Sequence, residues 1–216
     1  MTECTHSLLK SPVERFIRDS VVYREFAYRV DREKSSLWAH IEEGRLWWLL
    51  TIQCVDTDYP DDDEDNFPPA CAPSLSLTFP SSVRRTSWRA FEGTSYKFTF
   101  DDEEAFPLFP GIPSSAYIGY HHSCTEHHIS FGRLLGSTYH VRWKPLARAA
   151  LEHDGEFFFV DADVPFAGIG VRTSNGNEIE SVEDTLTQWF NLDEFEAAAS
   201  ASYDIWYAAK VGDETE

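Results

Sequence analysis

Four of the chain's eight histidines fall within GYHHSCTEHHISFG at 119–132, with Cys124 and Glu126 among them. Imidazole, thiolate and carboxylate together form the donor set of zinc and other late divalent metals. If 116–122 and 127–131 form a hairpin over SCTE, His122 and His127 oppose each other on one face, with side-chain roots about 5.5 Å apart. The candidate metal ligands are then His122, His127, Glu126 and Cys124, and a metal-bound water would serve as the nucleophile of a zinc-type hydrolase. The plain alternative is a polar hairpin tip carrying ordinary imidazoles. The histidines are adjacent rather than spaced H-x-H, and neither H-E-x-x-H nor H-x-x-E-H is present.

A second constellation is FFFVDADVPF at 157–166. An apolar strand ending in Asp161-x-Asp163 sets two carboxylates on one face, a geometry that holds Mg²⁺ in phosphoryl-transfer sites. Strand-end aspartates are equally ordinary turn residues. There is no G-x-x-x-x-G-K-[ST], no G-x-G-x-x-G and no G-x-S-x-G. Without a complete catalytic set, the chain reads as a protein that binds rather than catalyses, and as one that needs no cofactor.

Charge is the strongest compositional signal. With 37 acids and 18 bases the net charge is −19 over 216 residues. Residues 56–65 hold seven acids (Asp56, Asp58, Asp61, Asp62, Asp63, Glu64 and Asp65) and no base, and residues 173–216 hold eleven acids and only Lys210, leaving −2 for the other 162 residues. Such a surface repels nucleic-acid phosphates and anionic lipid, so neither nucleic acid nor membrane is an expected partner. It favours association with a basic protein, which those seven acids would contact, and raises the rate of encounter. The acidic run is no EF-hand: Asp61, Asp63 and Asp65 have the alternate spacing, but Asn66 replaces the turn glycine and Ala72 the bidentate glutamate.

The four cysteines, Cys4, Cys54, Cys71 and Cys124, include no C-x-x-C pair. Residues 1–20 lack the apolar run of a signal peptide, and no stretch approaches a membrane span. Reduced thiols and a cytoplasmic location are the expectation.

These groups need a scaffold, and period-2 patterning supplies it through the first 175 residues. One strand is expected around 22–30 (VYREFAYRV). LWAHIEEGRLWWLLTIQC at 37–54 reads as a hairpin, with Leu46, Trp48, Leu50 and Ile52 on one face of its second strand and Trp47 and Leu49 on the other. Four prolines make 56–73 a loop. Further strands are expected at 75–79, 87–91, 95–100, 116–122, 127–131, 138–144, 157–162 and 166–172, with a short helix opening at Pro145. Seven tryptophans, Trp38, Trp47, Trp48, Trp88 and Trp143 among them, read mostly as core. Towards the C-terminus the period changes. Ser181 and Asp184 resemble an N-cap, and Val182, Leu186, Trp189 and Phe190 recur at helical spacing, with the helix continuing or restarting through 192–199 before a last strand at 203–211.

The expected fold is one α+β, β-rich domain over 1–216: a largely antiparallel sheet system of roughly eight to ten strands and one main C-terminal helix. The expected function is that of a cytosolic, non-catalytic binding protein, of the immunity or inhibitor type, for a basic partner. A metal-dependent hydrolase centred on residues 121–128 is the alternative.

Seven carboxylates in ten residues repel one another, and Pro60, Pro68 and Pro69 cannot support a ladder. Replacing Asp61, Asp62, Asp63 and Asp65 with Asn should leave the melting temperature unchanged or raised in differential scanning calorimetry. A large drop would mean that these carboxylates hold a cation or a buried arginine.

Overall fold

A computed structural model of the chain describes residues 16–24, 26–42, 45–55, 72–80, 87–99, 114–118, 120–149, 155–171, 182–198 and 205–210. Seven strands close into a barrel: β3 (Ser36–Glu42), β4 (Arg45–Gln53), β5 (Ser74–Pro80), β7 (Ser114–Ile118), β8 (Tyr120–Leu135), β9 (Thr138–Ala149) and β10 (Glu156–Val171), in that order and back to β3. All ladders are antiparallel except the closing one, where Phe166–Val171 of β10 runs parallel to Leu37–Ile41 of β3. β1 (Ser20–Tyr23) and β2 (Phe26–Arg29) form a hairpin on β10, β6 (Ser95–Thr99) lies along β8, and β11 (Phe195–Ala198) and β12 (Ile205–Ala209) extend β10 beyond the barrel.

The fold is therefore nearly all β, and the expected α+β architecture with a main C-terminal helix is wrong. The periodic stretch after Ser181 yields only the six-residue helix α1 (Val182–Thr187) and a 3-10 turn at Leu192–Glu194, and the chain then enters β11. Six residues are too few to sustain a helix by their own hydrogen bonds. Leu186, Phe190 and Phe195 are instead recruited as buried apolar contacts at one end of the barrel.

Other departures have equally local causes. The strand expected over 22–30 is split by Arg24, whose φ of 54° turns the chain so that Tyr23 pairs with Phe26. Residues 87–91 form no strand: Ser87 Oγ accepts from Arg89 N and caps a 3-10 turn over Trp88–Phe91. The helix expected at Pro145 is part of β9. Pro145 falls where the β9–β10 ladder is interrupted, between the pairs Trp143–Val160 and Leu146–Phe157, so its missing N–H leaves a gap on the β10 side while it stays in register with His127 of β8. The two strands expected around Pro165 are one. Pro165 is the last residue paired to β9, and the next, Phe166, begins the ladder to β3.

The expected hairpin at 37–52 is present, with Ile41 opposite Leu46, Ala39 opposite Trp48 and Leu37 opposite Leu50. All six are buried and point into the barrel with Leu75, Leu77, Ile129, Phe131, Val141, Trp143, Val160 and Val164. Charged side chains stand on the outer surface, the inverse of a transmembrane barrel, whose apolar band faces outward. No helix among the described residues is long and apolar enough to cross a membrane.

The 3-10 turn at Trp88–Phe91 stops one end of the barrel. Phe91 sits edge-on to Trp48 with ring centroids 4.5 Å apart and lies 4.6 Å from Phe131, while Trp88 stacks on Phe166 at 4.9 Å. Tyr139 Oη, buried in the wall, donates to the Trp88 carbonyl at 2.6 Å and fixes the turn in place. Tyr139→Phe should therefore cost about 1–3 kcal/mol in urea unfolding, the price of a buried carbonyl left without its donor. A change below about 0.5 kcal/mol would show that the aromatic packing alone seats the turn.

Candidate functional site

The histidine segment is not a hairpin. Tyr120–Leu135 is a single sixteen-residue strand, and the turn leading into it lies between Ile118 and Tyr120. His122 and His127 thus do not face each other across a turn but occupy one strand. A register irregularity between Cys124 and Glu126 shifts the alternation by one residue. As a result His122, Cys124 and His127 all lie on the buried side, His122 and His127 each only 3% exposed, while His121, Glu126 and His128 are exposed.

His127 is a satisfied core residue. Trp143 Nε1–H donates to its Nδ1 at 3.1 Å, so Nε2 carries the proton and donates to the Cys124 carbonyl at 3.2 Å. No lone pair of the ring remains for a metal. Burial pushes its pKa down to about 4, and pushes the Cys124 thiol up to about 12, far from a thiolate ligand. Glu126 is on the opposite face. The four expected ligands therefore do not converge, and among the described residues no group of three or more His, Cys, Asp or Glu is placed to hold a metal ion.

Asp161 and Asp163 do share a face, the outer one, but they are already compensated. Arg142 Nε lies 2.9 Å from Asp161, Arg18 reaches Asp161 at 3.4 Å and Asp163 at 2.6 Å, and Arg32 reaches Asp163 at 3.1 Å and Asp19 at 2.8 Å. His140 contacts Arg18 and lies 3.7 and 3.5 Å from the two carboxylates. Asp161 is 2% exposed, so unpaired it would be a buried charge in low dielectric. The pair pins the entering chain at Arg18 onto β10, and an Mg²⁺ ion would have to displace that pairing.

A concave feature of the described surface lies on the outer face of β6, β8 and β9. Lys97 pairs in register with His128, and His128 with Lys144, so three basic side chains form a row across three adjacent strands. Thr99 and Glu126 form the next row. With Phe157 and part of His127 they line a cavity of about 360 Å³. Lys144 Nζ sits 4.5 Å above the Phe157 ring and 5.4 Å from that of Phe159. No family model, no curated protein and no solved structure matches the chain. What the site does must be read from its chemistry.

Sequence reasoning passed over Lys97, Lys144 and Phe157. Alternation in SYKFTF and TYHVRWK puts both lysines on the polar face of their strands, but their meeting depends on a register that no local pattern contains. The expected partner-contacting acids, Asp56, Asp58, Asp61, Asp62, Asp63, Glu64 and Asp65, lie outside the described residues.

The buried imidazole gives this segment a pH signature. The unfolded chain protonates His127 as pH falls through 6.5, whereas the folded chain keeps it neutral down to about 4. Its contribution to stability is complete above pH 6.5 and is lost across the window from 6.5 to 4, about 3 kcal/mol in all. Urea titrations of the native chain against His127→Gln should show a flatter pH dependence for the variant in that window. Parallel curves would mean that His127 charges in the folded state near its ordinary pKa.

Proposed function

We propose that the chain is a non-catalytic binding protein, working in the cytoplasm, that docks a basic protein partner through its acidic connecting segments and uses the barrel as a rigid platform. The supporting observation is how charge divides. The described residues hold 14 acids and 13 bases, so the segments between and around them hold the other 23 acids and only 5 bases, or −18 of the total −19. The barrel itself is nearly neutral. Charge concentrated in connecting segments, where binding residues are generally carried on folded scaffolds, steers encounter without burdening the core. The described chemistry supports binding over catalysis: Cys54 and Cys124 are buried thiols with pKa values near 12, His127 is saturated, and Asp161 and Asp163 are held by arginines. Buried free thiols also accord with a reducing compartment.

Affinity capture with the full chain should retain a basic protein at low salt and release it at about 0.5 M salt, where screening shortens the reach of surface charge to a few ångströms. With the purified partner, replacing Asp61, Asp62, Asp63 and Asp65 by Asn should slow association and flatten its salt dependence while leaving dissociation little changed. Capture insensitive to salt, or association unaffected by the four substitutions, would remove the basis of this reading.

A further inference from the structure

The row Lys97–His128–Lys144 is an unusual thing for a sheet surface to carry. Directly opposed basic groups on neighbouring strands do not attract one another, and opposite charges at such positions would stabilise the sheet. Several other cations of the barrel have carboxylate partners: Arg24 with Glu156, Arg32 with Asp19 and Asp163, and Arg142 with Asp161. Lys97 has no ion-pair partner among the described residues, although Glu126 occupies the adjoining row. Lys144 is held over two aromatic rings and keeps its ammonium at the cavity wall. The groups lining the cavity are therefore two ammonium groups, two imidazoles (His128 and part of His127), the Thr99 hydroxyl, one carboxylate and an aromatic ring.

We propose that this cavity binds a small phosphate monoester carrying an aromatic or flat apolar body. The ammonium groups of Lys97 and Lys144, with the His128 imidazole and the Thr99 hydroxyl, present donors from three strands towards one space, which suits the three acceptor oxygens of a phosphate. Phe157 gives the apolar part of the ligand a face to lie on. Two lysines against Glu126 leave a single net positive charge, so the lining accommodates a monoester and disfavours a polyphosphate. The net charge of −19 on the chain disfavours an extended polyanion such as nucleic acid. A volume near 360 Å³ lies at the small end of the range for ligand sites.

Isothermal titration of the full chain with inorganic phosphate, phenyl phosphate and phenol tests this. Phenyl phosphate should bind with a dissociation constant of about 1 mM or tighter, several-fold tighter than inorganic phosphate, and phenol should not bind measurably. Lys97→Gln, at an exposed position with no ion-pair partner among the described residues, should weaken phenyl phosphate at least about tenfold, and Lys97→Arg should restore most of the loss. Phe157→Leu, which also removes one of the two rings beneath Lys144 Nζ, should weaken phenyl phosphate by a larger factor than inorganic phosphate. The proposal fails if neither phosphate binds at about 20 mM, if Lys97→Gln binds as the native chain does, or if a single-stranded oligonucleotide binds more tightly than phenyl phosphate.

Discussion

The ladder between Leu37–Ile41 and Phe166–Val171 is the closure on which the molecule depends. Without it β3 and β10 would each present an unpaired edge, and the apolar faces of seven strands would have no common interior. β10 makes closure possible because it changes neighbours along its length. One edge carries β1 and then β3, and the other carries β9 and then β12. Pro165 marks the change, at a point where an absent N–H is tolerated. The interior that results is filled with aromatic rings and branched aliphatic side chains, Trp48, Trp143 and Phe131 among them. It is a packed core rather than a ligand cavity, so a binding site on the barrel would lie on its outer face.

This division separates two demands that conflict in small acidic proteins. A compact body of charge −19 would be destabilised by self-repulsion. Here the described residues are close to neutral, and several of their charges sit in short-range pairs such as Arg142 with Asp161 and Arg24 with Glu156. The lysine row on β6, β8 and β9 differs from these pairs in setting basic side chains opposite one another.

Much of the fold was legible in local pattern, because alternation reports which face of a strand is buried whatever the strand's neighbours. The 37–54 hairpin followed directly from the two alternating apolar runs in LWAHIEEGRLWWLLTIQC. Three kinds of information were not local. Strand continuity through Pro145 and Pro165 depends on where the neighbouring ladder is interrupted. The inward turn of both His122 and His127 depends on one register irregularity near Thr125, which reverses the parity of the residues from there to the next irregularity, between Phe131 and Leu134. The helical period after Ser181 was real over one turn and a half, and was then overridden by the burial of Phe190 and Phe195 against the barrel end. The candidate site suffered most, since the histidines attracted attention by type while the groups that meet, Lys97, His128 and Lys144, are joined only by register.

The closing ladder also sets when the protein can exist during its own synthesis. Leu37 and its partner Phe166 are 129 positions apart, so β3, β4 and β5 leave the ribosome long before β10 is available to them. Folding that waits on such distant pairing is slow, and the hairpin bearing Trp47, Trp48 and Leu49 meanwhile has edges and an apolar face with no native cover. The acid runs at 56–65 and 101–104 fall within that interval, one directly after the hairpin and the other between β6 and β7. Two nascent chains brought together by their exposed hairpins must also bring together those carboxylates. Mutual repulsion between these acid runs would therefore guard the growing chain against premature association.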